Sequence, residues 1–187
     1  GAVSGLTLYS VSDTGALTAH SSLGQEEGIG VHDPTALAVV NVNGESLIVV
    51  GAAGSSSRSV FAVSDTGALS LRSHTIDTRD TRFDGLTVLD TAQINGETYL
   101  VAGGADDGLS LFLILPGGQL AHLDSIADGV DTSLANLSAI ELLAEGSTLH
   151  VFATSQAETG LTHLTVEFPT SWQVSTGTDA AERLKER

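Results

Sequence analysis

The chain has 187 residues, 41% of them hydrophobic, which is enough to bury a substantial core and excludes a disordered polar chain. Acids outnumber bases 23 to 7, for a formal charge of −16, and three of the bases (Arg183, Lys185, Arg187) lie in the last few residues. No cationic cluster is left to displace counterions from nucleic acid or from an anionic membrane, whereas cations, cationic partners and neutral glycans remain open. Without Cys there is no disulfide or thiol chemistry, and the absence of Met, including at position 1, is expected of an internal or processed piece. No apolar stretch approaches the roughly 20 residues that span a bilayer, so no membrane insertion is expected.

Taken from the N-terminus, the first predicted strand, Leu6–Val11, runs into the segment Ser10-Val11-Ser12-Asp13-Thr14-Gly15-Ala16-Leu17. This segment recurs 52 positions later as Ala62-Val63-Ser64-Asp65-Thr66-Gly67-Ala68-Leu69. A weaker copy is Leu113-Ile114-Leu115-Pro116-Gly117-Gly118-Gln119-Leu120, and a degenerate one falls near Val166 to Trp172. A second marker keeps the same period: Asn43-Gly44-Glu45 before Leu47–Gly51, Asn95-Gly96-Glu97 before Tyr99–Gly103, and Glu145-Gly146-Ser147 before Leu149–Phe152. The runs between these markers are rich in Val, Leu and aromatics, and the breaks are Asn-Gly, Asp-Thr-Gly or Asp-Asp-Gly, residues that accept positive φ in hairpin turns.

Each unit therefore reads as four strands. In the middle unit strand A is predicted at Leu86–Thr91, B at Thr98–Gly103, C at Leu109–Ile114 and D at Gln119–Ser125. Two columns on strand C stay apolar through the repeats, Tyr9/Phe61/Phe112/Leu164 and Val11/Val63/Ile114/Val166, as residues packed between stacked sheets must. The fold class is all-β: a β-propeller fragment of about three and a half four-stranded antiparallel blades, with a β-sandwich as the alternative. The blades are assigned to residues 1–177, the last D strand falling at Pro169–Val174. A short charged helix is assigned to 178–187, with Asp179 as N-cap and Glu182 three residues on.

An unclosed run of blades leaves an apolar face and a strand edge in water, so a closing partner is expected. The candidates are the rest of a parent chain, a second fragment of it, or a second copy.

The unit Leu47-Ile48-Val49-Val50-Gly51 followed by Ser59-Val60-Phe61-Ala62-Val63-Ser64-Asp65-Thr66-Gly67-Ala68-Leu69 resembles the blade of lactonase-type (6-phosphogluconolactonase-like) seven-bladed propellers. The run from Gly96 to Phe112 is similar to propeller repeats of large secreted bacterial proteins that also carry hemolysin-type (RTX) calcium-binding repeats. The resemblance covers all but the tail and implies blade architecture and a secreted or cell-surface bacterial location. Its matching residues are turn glycines and core apolars. No lactonase catalytic motif and no Gly-Gly-x-Gly-x-Asp calcium repeat is present.

Strand order sends the B–C and D–A connections to one face of the disc, the face that usually carries a propeller's site, and this is where the charge collects. Ligand-binding candidates there are Asp33, Arg58, Arg79, Asp84, Asp106 and Asp107. Asp77 and Asp80 align with Asp128 and Asp131 one unit on and are candidate Ca²⁺ ligands, although their spacing is not that of an EF-hand and Arg79 and Arg82 are placed to neutralise them. His32, beside Asp33, and Arg82 are the candidates for a catalytic role. On the opposite face Asp13, Asp65, Asn43 and Asn95 read as turn residues. His150 and His163 occupy columns that are aliphatic in the other units and read as core or interface variation.

The functional expectation is a non-catalytic binding or scaffold module that presents an acidic loop face to a protein, glycan or cation. The alternatives are part of a lactonase-like sugar-lactone hydrolase and a ring-closing subunit of a larger assembly.

Overall fold

The computed structural model describes residues 5–168 and contains thirteen strands and one 3₁₀ turn, Gln25–Glu27. Blade 1 is the pair β1 (Gly5–Val11) and β2 (Leu17–Gly24). Blade 2 is β3 (Pro34–Val42), β4 (Glu45–Ala52), β5 (Ser57–Val63) and β6 (Leu69–Ile76), neighbours in chain order. Blade 3 repeats this with β7 (Val88–Ile94), β8 (Glu97–Gly103), β9 (Gly108–Ile114) and β10 (Leu120–Ala127). Blade 4 shows β11 (Leu137–Glu145), β12 (Thr148–Ser155) and β13 (Leu161–Glu167). All pairings are antiparallel. The strand expected at Pro169–Val174 and the helix expected at 178–187 lie outside the described residues.

Four sheets, each packed on the next, replace the two-sheet sandwich alternative. Val31, Ile48, Val50 and Phe61 fill the space between blades 1 and 2, and Leu47, Val49, Val60, Leu86, Leu100, Phe112 and Ile114 that between blades 2 and 3. Val101, Leu111, Leu137, Leu149 and Val151 fill the space between blades 3 and 4. This stacking explains the sequence pattern strand by strand. In blades 2 and 3, strands B and C have a described blade on either side and read as unbroken apolar runs, such as Leu47–Ala52. Outer D strands such as β6 alternate partly buried and exposed residues.

Strand A of the middle blade begins two residues later and ends three later than expected. Leu86 is fully buried, but as a loop anchor: it sits over Gly51, where a Cβ would come within 2.2 Å of Leu86 Cδ2. At the other end Asn95 and Gly96 take φ of 53° and 83°, as do Asn43 and Gly44 at 51° and 85°. Two consecutive left-handed residues make the two-residue type I′ hairpin, so the strands run up to the turn.

At the C–D turns the expected role of Asp13 and Asp65 passes to their neighbours: the Ser12 and Ser64 hydroxyls accept from the amides of Ala16 and Ala68, both at 3.0 Å. Blade-to-blade ties repeat as well. Ser21 Oγ donates to Gly67 O at 2.8 Å and Ser73 Oγ to Gly118 O at 2.7 Å.

Each described D strand carries a β-bulge that leaves one residue unpaired, His20, Arg72 and Leu123 in turn. The extra residue bends and twists the outer strand.

Candidate functional site

The D–A loop between blades 2 and 3, residues 77–87, is shaped by one carboxylate. Asp77 Oδ1 accepts from Thr81 Oγ1 at 2.8 Å and from the amide of Phe83 at 3.1 Å, which turns the Phe83 ring into the core. The next loop does the same: Asp128 Oδ1 accepts from Thr132 Oγ1 at 2.8 Å and from the amide of Leu134 at 2.9 Å, and these bonds, the Leu134 amide first, lower the Asp128 pKa. The repeated pattern Asp-x-x-x-Thr-x-(Phe/Leu) is thus a loop staple. Asp77 and Asp128 use it in separate loops, and Asp80 and Asp131 are exposed beside them. Among the described residues no three His, Asp or Glu side chains stand close enough to hold a metal ion.

Two of the ligand-binding candidates also tie loops together. Asp107 Oδ1 accepts from the Asn136 amide at 3.1 Å, and Ser56, one repeat earlier, accepts from the Gly85 amide at 3.1 Å while donating to Asp84. Asp33, at φ 55°, is the counterpart of Gly85 and Asn136, which share that left-handed conformation at 54° and 49°.

Five of the candidates, Asp84 among them, converge. Asp77, Thr78, Arg79, Thr81, Arg82, Asp84 and Asp106 line an open cup of about 440 Å³ where the D–A loop meets the B–C loop of blade 3. The Arg82 amide is fixed by Ser110 Oγ at 2.7 Å, itself bonded to Ser125 Oγ at 2.8 Å. Asp106 Oδ1 has no hydrogen-bond partner, and its pKa is raised to about 6, first by desolvation and then by the charge of Asp77. His32 lies in the preceding D–A loop, where its amide donates to Ser55 of the B–C loop of blade 2, and does not line the cup.

Behind the cup wall lies Arg58, only 2% exposed. Its guanidinium carbon stands 3.4 Å from the Phe112 ring centre and 4.5 Å from that of Phe83, the residue between Arg82 and Asp84. Nε and Nη1 have no hydrogen-bond partner. Burial lowers its pKa to about 9, against the opposing pull of Asp77. The signal for Arg58 is legible in the repeat, because its column holds Leu6, Leu109 and Leu161 in the other blades. A cation in a leucine column breaks the local rule, and such breaks concentrate at functional sites.

His150 and His163 likewise break aliphatic columns, and the structure brings the two rings together. Their ring nitrogens stand 2.9 Å apart, and His163 stacks on Phe152 at 4.6 Å between ring centres. These residues lie on strands B and C of blade 4, and only the strand register brings them together. His163 also lines a second, apolar groove of about 830 Å³ between blades 3 and 4, with Tyr99, Leu111, Val151 and Phe168.

Stacked antiparallel sheets of two to four described strands define a β-propeller architecture, a fold shared with solved structures similar to this chain. A protein from Lactobacillus plantarum matches with a TM-score of 0.58 and 17% identity over 89% of this chain. A protein from Bacteroides fragilis, named "putative 6-phosphogluconolactonase", matches with a TM-score of 0.56 and 14% identity over 88% of this chain. The chain spans about half the length of these structures, 53% and 52%. At such identities the likeness is one of fold. No protein-family model matches the chain, and no curated protein sequence matches it.

Proposed function

We propose that this propeller segment is a binding module whose cup between blades 2 and 3 holds a neutral, polyhydroxylated ligand of the glycan class. The observation that carries this reading is the mixture of donors and acceptors around the cup. Arg79 and Arg82 stand among Asp77, Asp84 and Asp106, and Asp106 keeps one oxygen unpartnered. A sugar ring presents hydroxyls that both donate and accept, so it can satisfy both kinds of group at once, whereas a simple anion or cation is repelled by half of the lining. The acidity of the chain as a whole agrees with a ligand that needs no clustered positive charge. Screening the chain against an immobilised glycan library, with Arg82→Ala and Asp106→Asn alongside, tests the reading. A glycan retained by the parent chain and lost by both variants supports it, and retention by neither or by all three refutes it.

A second reading, lactone hydrolysis, is favoured by the Asp106 carboxyl. With a pKa raised to about 6 it can hold or release a proton near neutral pH, beside Arg82, whose charge suits a carbonyl oxygen gaining negative charge. Hydrolysis of a sugar lactone by the parent chain and its loss in Asp106→Asn would favour this reading over binding alone.

A further inference from the structure

Blade 4 carries a second constellation, away from the cup. Strand pairing sets Glu141 opposite Phe152, Glu145 opposite Thr148 and Phe152 opposite His163. Paired residues share a sheet face, as do alternate residues along a strand. Glu141, Glu145, His150, Phe152 and His163 therefore lie on one face, opposite Leu149, Val151 and Ala153, which pack into the core shared with blade 3. His150 Nδ1 and His163 Nε2 stand 2.9 Å apart. The other nitrogen of His150, Nε2, lies 3.5 Å from Glu145 Oε2, and the His163 ring lies flat on Phe152, with 6° between their planes. The His150 side chain is 20% exposed and His163 is exposed, so solvent reaches the pair.

The geometry points to a binding site for a first-row divalent transition-metal ion, Zn²⁺ foremost, held between His150 Nδ1 and His163 Nε2. Imidazole nitrogens bind Zn²⁺ at about 2.0–2.1 Å, so two on one ion stand about 2.9–3.4 Å apart, the separation already present here. Small side-chain rotations then aim both lone pairs at the ion, and the strand register stays as it is. Glu145 is placed to accept from Nε2–H of His150, which leaves the Nδ1 lone pair facing His163; a carboxylate behind a ligating histidine orients it in this way. His163, neutral, carries its proton on Nδ1 once the ion is bound, and Phe152 fixes the plane of its ring. Glu141 and Glu145 on the same face add negative potential that draws a cation. Among the described residues no third His, Asp or Glu is close enough to ligate, so water fills the remaining positions. Two imidazoles without a carboxylate ligand favour a transition ion over Ca²⁺. Both ligands come from one blade, so the site needs neither a neighbouring blade nor a partner chain. It is also independent of the glycan reading, since the cup lies in different loops.

The test is calorimetric titration of zinc chloride into the full chain at neutral pH, with excess Ca²⁺ present throughout. Saturable uptake of one Zn²⁺ per chain is expected, and the ion should raise Tm because it binds the folded register and not the unfolded chain. His150→Gln and His163→Gln, each verified as folded by circular dichroism, should weaken binding by about tenfold or more and cancel the rise in Tm. His20→Gln, at an exposed histidine of blade 1, should change neither. No binding, binding that both pair variants retain at parental strength, binding lost equally in His20→Gln, competition by Ca²⁺, or uptake of one ion by two chains would each overturn the proposal.

Discussion

Replacing Arg58 by leucine, the residue its column holds in blades 1, 3 and 4, should stabilise the protein and impair its site. Burial brings the guanidinium down to about 9. At about 1.4 kcal/mol per pKa unit, the shift from the ordinary arginine range corresponds to roughly 4–5 kcal/mol against the charged form. Stacking on Phe112 and Phe83 returns about 1–2 kcal/mol per ring, and the shorter leucine leaves some space unfilled. The net expectation is a gain of about 1–2 kcal/mol, which at about 2–4 °C per kcal/mol raises Tm by roughly 2–8 °C.

The pH dependence identifies the cause. The folded pKa of Arg58 lies below its unfolded value, so the penalty is fully present below about pH 9 and is relieved as pH rises beyond it. The Tm difference between Arg58→Leu and the parent should therefore be largest at pH 7–8 and shrink above pH 9. Glycan affinity should fall about tenfold as the positive charge behind Asp77 disappears. Calorimetric melts across pH with binding assays on both proteins provide the check. A variant that melts well below the parent at pH 7 yet binds as tightly would refute the reasoning, because Arg58 would then be a structural cation.

Asp106→Asn should remove a pH-dependent component of stability. The folded pKa of about 6 lies above the unfolded one, so the contribution is present at pH 3–4 and lost as pH rises through 6, and the variant should gain on the parent at pH 7 but not at pH 4. Asp77→Ala should lower stability by about 2 kcal/mol in denaturant titration by removing the acceptor of Thr81 and of the Phe83 amide. The loss should be equal in Ca²⁺ and in chelator, and a loss seen only in Ca²⁺ would restore the metal reading. Gly104→Ala places a Cβ 2.2 Å from the backbone oxygen of Asp84, a contact no side-chain rotation relieves. It should cost about 1–3 kcal/mol and abolish glycan retention, and a variant of parental stability would contradict the packing of the cup.

The fold was legible because turn chemistry and strand burial repeat along the chain. Asn43-Gly44 and Asn95-Gly96 dictate two-residue hairpins locally, and runs such as Leu47–Ala52 can be satisfied only by a strand covered on both faces. Arg58 was legible against its leucine column for the same reason. The chemistry of the acidic loops was not legible, because composition does not show which oxygen meets which donor. Asp77 and Asp128 looked like repeated ion ligands, yet each is committed to a threonine and an amide within its own loop, and Asp107 to the backbone of the next. Asp106, adjacent in sequence to Asp107, alone of the two lines the cup. The repeat thus specified the blades and their order through local backbone preference and burial. Tertiary packing decided which carboxylates brace loops and which remain free to meet a ligand, because that depends on where the B–C loop of one blade abuts the D–A loop of the one before.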